Sequence, residues 1–207
     1  MDFQDQIANQ LDVSRETIER LTIYEQLVRK WNPAINLVAN STLDHIWERH
    51  IADSADVWAV SAPESGKWID IGSGGGFPGL VIAIIAAEKS PDLTVTCIES
   101  DIRKCEFMRT VARATKTAPK ILSRRIEETP DQNADFISAR ALAPLPKLLG
   151  LVSKHLNHDG NAFLHKGASW QQEISDAQQA WSFDVESHTG IFNKSSKILK
   201  IWNIAGD

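Results

Sequence analysis

Residues 70–79 read Asp70-Ile71-Gly72-Ser73-Gly74-Gly75-Gly76-Phe77-Pro78-Gly79, and the reading of this stretch decides the fold. A short apolar run at 68–71 precedes it and a longer one at 80–87 follows. Strand, glycine turn and helix in immediate succession form the opening unit of a nucleotide-binding type of α/β sheet. Closely spaced glycines let the chain turn sharply and let a ligand approach the backbone without side chains between. The helix behind offers unpaired amides, and Pro78 suits its start because the first turn needs no amide donor. Gly74, Gly76 and Gly79 satisfy G-x-G-x-x-G, which alone suggests a dinucleotide. Asp70 argues for a different ligand. A carboxylate two positions before the first glycine repels a pyrophosphate but suits the cationic methionine end of S-adenosyl-methionine. On this reading Asp70, Gly72, Gly74 and Gly76 bind the cofactor. Glu99 closes the next strand, roughly 20 residues past the loop, where a carboxylate can accept from both ribose hydroxyls. A ligand-free turn and a strand-end surface charge are the plainer alternatives.

Outward from the loop, short apolar runs alternate with helical stretches, the pattern of a parallel sheet. Strands are expected at residues 68–71, 94–98, 120–122, 135–138, 162–165, 183–187 and 198–204. Helices are expected at 78–87, 102–115, 145–156 and 170–180, with Asp159-Gly160 turning the third of these into the following strand. The first sixty residues are helical in texture. Ser14 can cap a helix with Glu16 in its first turn, and Ile18, Leu21, Leu27, Val28 and Trp31 fall on one stripe. Asn32-Pro33 marks a break, and residues 43–60 carry Ile46, Trp47, Ile51 and Ala55 at similar spacing. The expected architecture is α/β: a Rossmann-like methyltransferase core at 65–207 with a mostly parallel seven-stranded sheet, and an N-terminal helical extension at 1–64, together one compact unit.

The 207 residues suit one domain of ordinary size. A net charge of −5 argues against a protein that coats nucleic acid nonspecifically, while leaving room for a local basic face. No apolar run approaches the roughly 18 residues of a membrane span, and the opening MDFQDQIANQ has acids and amides where a signal peptide has bases. Cys97 and Cys105 cannot make a disulfide framework, and no Cys/His set has zinc spacing, so no metal is expected. A cytoplasmic location is expected.

Beyond the loop, the chain closely resembles the small-subunit ribosomal RNA guanine-N7 methyltransferases, also called the glucose-inhibited division protein B family. The resemblance rests on Lys30-Trp31-Asn32 with Asn36-Leu37, on Arg49-His50-Ile51-Ala52-Asp53-Ser54, and on the glycine loop with Phe77-Pro78-Gly79. It continues through Glu99-Ser100, Arg103-Lys104, Arg125-Ile126-Glu127-Glu128, Ser138-Ala139-Arg140-Ala141 and Lys166-Gly167. Val38, Ala52 and Gly75 depart from the residues usual in the family. The resemblance implies S-adenosyl-methionine as methyl donor and a guanine N7 in small-subunit (16S) ribosomal RNA, free or in the assembled subunit, as acceptor. Carried over by position, it implies cofactor contacts at Gly72, Phe77, Ile126, Glu127 and Arg140.

Guanine N7 is already an exposed lone pair and needs no deprotonation before attack. Positioning can therefore supply most of the catalysis. In keeping with this, residues 141–146 lack the Asn/Asp-Pro-Pro-aromatic motif of exocyclic-amine methylation, and neither cysteine follows strand four or five. No residue is assigned a chemical role; Arg140 and Lys166 are the positioning candidates. An RNA site needs cations, and Arg49, His50, Arg124, Arg125, Arg140, Lys147 and Lys166 are available. Arg49, His50, Arg124 and Lys166 are expected to bind substrate, although Arg49 could instead pair with Asp53 one turn on. The alternatives are a methyltransferase of a small metabolite, which the acidic charge suits, a non-catalytic nucleotide-binding module and a Rossmann oxidoreductase.

Overall fold

The computed structural model describes residues 2–194 and 196–206. Helices α1 (Phe3–Leu11), α2 (Arg15–Ile35) and α3 (Asp53–Ser61) precede the sheet. There follow β1 (Gly66–Ile71), α4 (Gly79–Lys89), β2 (Leu93–Glu99), α5 (Ile102–Thr115), β3 (Lys120–Ser123) and β4 (Ala134–Arg140). The chain ends with α6 (Leu145–His155), β5 (Leu156–Lys166), α7 (Trp170–Ala177), β6 (Trp181–Thr189) and β7 (Lys197–Gly206). Among the described residues the sheet has seven strands in the order β3-β2-β1-β4-β5-β7-β6. β1 to β5 run parallel, and β7 inserts antiparallel between β5 and β6. This is the Rossmann-like sheet that the alternation of strands and helices implied.

Alternate residues of each strand feed two cores, as the period of two requires. Trp68, Val95 and Cys97 face the N-terminal helices, α4 and α5, joining Leu21, Tyr24 and Phe107. Ile69, Ile71, Ile98 and Ile137 face α6 and α7, joining Leu148, Leu149 and Val152. The strand order reverses between β1 and β4, so a crevice opens past their carboxyl ends, where ligands of such sheets bind.

Local signals set most element ends. Ser14 accepts from the Thr17 amide at the start of α2, and its own N–H and hydroxyl donate to Glu88 of α4. The expected break at Asn32-Pro33 is not there: α2 runs through Pro33. A proline so near the carboxyl end removes a single ladder bond, and the helix stops where Asn36 turns left-handed at φ 46°. Asn32 then closes the reversal by accepting from the Val38 amide at 2.8 Å. The segment expected as one helix over 43–60 is three pieces, a 3₁₀ turn (Asn40–His45), a π turn (Trp47–Ala52) and α3. Side-chain donors compete for its carbonyls: Arg140 Nη1 donates to Arg49 O at 3.1 Å and Ser54 Oγ to His50 O at 2.6 Å. Asp159-Gly160 does not end a helix either. α6 stops at His155, and Gly160 lies inside β5, where pairing with β4 jumps from Ala134↔Leu156 to Phe136↔Asn161. At Gly160 the Leu156 side chain packs where a Cβ would stand, 2.7 Å away.

Asp70 ties β1, β4 and α4 together. Its fully buried carboxylate accepts from Ser138 Oγ at 2.7 Å and from the Gly79 amide at 3.3 Å. Burial raises its pKa to about 6 against the pull of those donors. An acid whose folded pKa lies above its unfolded one binds more protons when folded, so its contribution to stability grows as pH falls from about 6 towards 4. Relative to Asp70→Asn, the wild type should therefore gain about 2–3 kcal/mol between pH 7 and pH 4 in denaturant titrations. A pH-independent difference would contradict this account of the joint.

Candidate active site

Past the carboxyl end of β1 the glycine loop forms the floor of a cleft of about 380 Å³, inside the usual size range of small-molecule sites. Gly72, Gly74 and Gly76 all have positive φ, the conformation that favours glycine. Their side-chain space differs. At Gly74 a Cβ would meet nothing closer than 3.9 Å, whereas at Gly76 it would strike Leu80 at 2.5 Å and Tyr24 Oη at 2.8 Å. Gly74 therefore keeps open space above the loop, while Gly76 makes room for the core below. Tyr24 fixes the loop from beneath by donating to Gly75 O at 2.6 Å and stacking on Phe77 at 4.8 Å.

Glu99 reaches the cleft from the end of β2. One carboxylate oxygen accepts from the Gly74 amide and the other from the Asp101 amide, both at 2.8 Å. Gly72, Gly74, Phe77, Glu99, Ile126, Glu127 and Arg140, all expected cofactor residues, line this one cleft. Asp70 and Gly76 do not line it; they support it from below. The residues suit S-adenosyl-methionine: a buried carboxylate beneath the loop, a second lining the cleft from the end of β2, and Ile126 as an apolar wall for an adenine.

A second cavity, about 510 Å³, adjoins the cleft, with Leu37, Arg140 and Ala141 lining both. Arg140 stands at this boundary. Its guanidinium lies 5.2 Å from the Phe77 ring centre, 3.9 Å from Asp53 and within hydrogen-bond distance of Arg49 O. Asp53 thus pairs with Arg140 and not with Arg49. Asn193 Nδ2 also donates to Asp53, at 2.8 Å.

Arg49, His50 and Lys166 line the second cavity, whereas Arg124 lies at the mouth of the cofactor cleft. His50 is not a cation there: burial first, then Arg140 and Arg49, lower its pKa to about 3. Thr42 spends its hydroxyl hydrogen on Ala39 O, so the His50 Nε2 at 2.8 Å carries the proton that Thr42 accepts. Lys166 is only 5% exposed, and its ammonium meets Glu173 at 2.8 Å and Ala143 O at 3.2 Å, joining β5 to α7. His165, which the sequence did not single out, also lines this cavity. Burial and Arg140 lower its pKa to about 4, and its Nε2–H donates to Asp53 O at 2.9 Å.

The chain matches the family described as rRNA small subunit methyltransferase G over residues 17–201. It belongs to that family. A ribosomal RNA small subunit methyltransferase G of a Ruegeria species is 49% identical over 192 residues, 93% of either chain. The Paracoccus denitrificans protein of the same name is 47% identical, covering 92% of this chain and 97% of its own. Among solved structures, an S-adenosyl-methionine-dependent methyltransferase from Methanococcus maripaludis superposes with a TM-score of 0.57 at 15% identity, covering 81% of this chain and 93% of its own. A TehB-like methyltransferase from Corynebacterium glutamicum gives 0.57 at 12% identity, with 89% and 98% covered. At such identities these two establish the fold. As a member of the family, the chain is a methyltransferase, and S-adenosyl-methionine is its methyl donor. No helix among the described residues is long and apolar enough to cross a membrane.

The two glycines give a divided expectation. Gly74→Asp should still fold, at a cost of about 1 kcal/mol for its left-handed backbone, yet lose cofactor binding in calorimetry, because its side chain enters open cleft. Gly76→Asp should lose stability instead, by about 2–4 kcal/mol, from overpacking and charge burial. Native cofactor affinity in Gly74→Asp would contradict the assigned floor. Glu99→Gln opposes an amide to the Gly74 or Asp101 N–H. It should weaken the cofactor by about 1.5–3 kcal/mol, with the maximal rate recovered at saturating cofactor.

Proposed function

We propose that this methyltransferase transfers the methyl group of S-adenosyl-methionine to N7 of a guanine in small-subunit (16S) ribosomal RNA, with the cofactor in the glycine-loop cleft and the base in the adjoining cavity. The observation that carries this reading is Arg140, which lines both spaces in a chain of the methyltransferase G family. Bound in the cleft, the cofactor supplies an electrophilic sulfonium methyl. The chain's own residues hold the two reactants in line. Gly74 leaves the approach open, Gly72 makes room for Leu142 of the cleft wall, and Glu99 and Glu127 receive the nucleoside. Arg140, fixed by Phe77, Asp53 and Arg49 O, forms the wall at which the two ligands meet. Asp70 acts through the loop it supports.

The acceptor side fits a nucleophile that needs no base. His50 and His165 are held neutral with one ring nitrogen each committed, and Asp53 is occupied by Arg140 and Asn193. Cys97 and Cys105 are buried in the core, away from both cavities, which suits nitrogen rather than carbon methylation. Arg49 and Arg124 are the proposed phosphate contacts, at the second cavity and the cleft mouth. His50 shapes the base cavity, and Lys166 positions its far wall through Glu173. Residues 1–64 act as a helical extension of the 65–207 core that brings Arg49 and His50 to the site. A cytoplasmic location follows from a ribosomal substrate. The metabolite alternative rested on the acidic charge, and the family gives it no support.

The test is methyl transfer from labelled cofactor to small ribosomal subunits, to stripped RNA and to a metabolite extract, followed by nucleoside analysis. N7-methylguanosine in the RNA is expected. Arg140→Lys, which keeps the charge but loses the fork, should lower affinity for both cofactor and RNA about tenfold. Label in small molecules only, or on another RNA atom, would overturn the assignment.

A further inference from the structure

β3 is an edge strand, and its connection to β4 carries only a 3₁₀ turn (Ile126–Glu128) where the other parallel connections carry helices. One face of the outer sheet is therefore uncovered. A shallow groove of about 320 Å³ follows β3 there, sharing Arg124 with the cofactor cleft. At its other end Lys120 and Gln132 pass into a larger cavity of about 750 Å³ at the rim where β1 and β2 begin, which also holds Lys67 and Lys116. By register, Lys67 of β1 and Lys120 of β3 stand on the same sheet face, flanking Thr94 and Thr96 of β2.

The lining of this path is basic, and the nearest carboxylate at its Lys67 end, Asp135, accepts from the Lys67 amide at 2.7 Å. No aspartate or glutamate lines either the groove or the rim cavity among the described residues, in a chain with more acids than bases. Nor, among the described residues, do the side chains of Lys67, Lys116, Lys120 and Arg124 form an ion pair or hydrogen bond. Elsewhere the cations are mixed: Arg20 pairs with Glu16, Arg29 with Glu25, Lys89 with Asp12 and Lys166 with Glu173, whereas Lys30, Lys104, Arg125 and Lys147 form no ion pair among the described residues. A lysine on an edge strand can deter strand pairing, but that explains Lys120 alone.

Resting on the RNA reading above, we infer that this open face is a docking track for the phosphate backbone of the RNA substrate, running from Arg124 at the cleft mouth along β3 to Lys67 and Lys116. Sheet spacings put its ends about 25 Å apart, enough to follow several consecutive phosphates of one strand. The acidic chain grips RNA along a path whose lining holds unpaired cations and no acid.

The experiment is steady-state methylation of stripped small-subunit RNA from a strain lacking the protein, using Lys67→Gln/Lys116→Gln/Lys120→Gln and the matching triple arginine variant. The glutamine variant should raise KM for RNA roughly 10- to 100-fold and reduce the slope of log affinity against log salt by about 2–3. Maximal rate, cofactor affinity and melting temperature should stay unchanged, and the arginine variant should behave as wild type. Unchanged KM and salt slope in the glutamine variant would overturn the track while the wild-type enzyme still methylates RNA. If wild type itself fails on RNA, the functional reading falls instead. A loss confined to assembled subunits, with bare RNA unaffected, would put a protein on this face and also overturn the proposal.

Discussion

Arg140 closes the sheet, the N-terminal segment and the glycine loop onto one another. It leaves the end of β4, reaches the π turn at Arg49 O, faces Asp53 at the start of α3 and lies over Phe77. Such a cation is tolerable inside a protein only when its donors find acceptors and its charge a counter-ion. The surrounding structure meets both needs at the boundary between the two cavities. The same field helps keep His50 and His165 uncharged, so the second cavity gains no charge from its two histidines. Burial first, and this ion second, hold the neighbouring histidines neutral, while the ion fixes the geometry.

Below it, two carboxylates hold the frame. Asp70 joins three elements beneath the loop, and Asp56 accepts from the Ile191, Phe192 and Asn193 amides between β6 and β7. Asp56 lies on α3, so the far hairpin and the helical segment that carries Arg49 are tied together. Asn193, held by Asp56, in turn donates to Asp53. A continuous polar chain therefore runs from the β6–β7 turn to Arg140, and it belongs to the fold and the site alike.

The sequence was most legible where local rules act. Glycines at positive φ, an acid at a strand end and apolar runs of strand or helix period have short-range causes, so the loop, the sheet and Glu99 could be placed before any coordinates. What escaped depends on partners far along the chain. Lys166 looks like an RNA contact until Glu173 takes its charge, and Gly76 looks like a ligand glycine until Tyr24 and Leu80 fill the space below it. His165 carries no motif at all and enters the site because β5 lies beside β4, facing Asp53 across 112 residues of sequence. At the π turn one of the two competing donors, Arg140, likewise comes from far along the chain. Net charge misled most: −5 describes the whole molecule, whereas RNA would meet only the cations left unpaired.

The central claim is that this fold delivers a methyl group to guanine N7 in small-subunit RNA. Its most direct measurement is mass-spectrometric mapping of methylated nucleosides in ribosomal RNA from cells lacking the protein, with and without complementation by the wild-type chain. The account predicts the loss of a single N7-methylguanosine from the small-subunit RNA and its return on complementation. An unchanged set of N7-methylguanosines, or the loss of a differently methylated nucleoside, would contradict it.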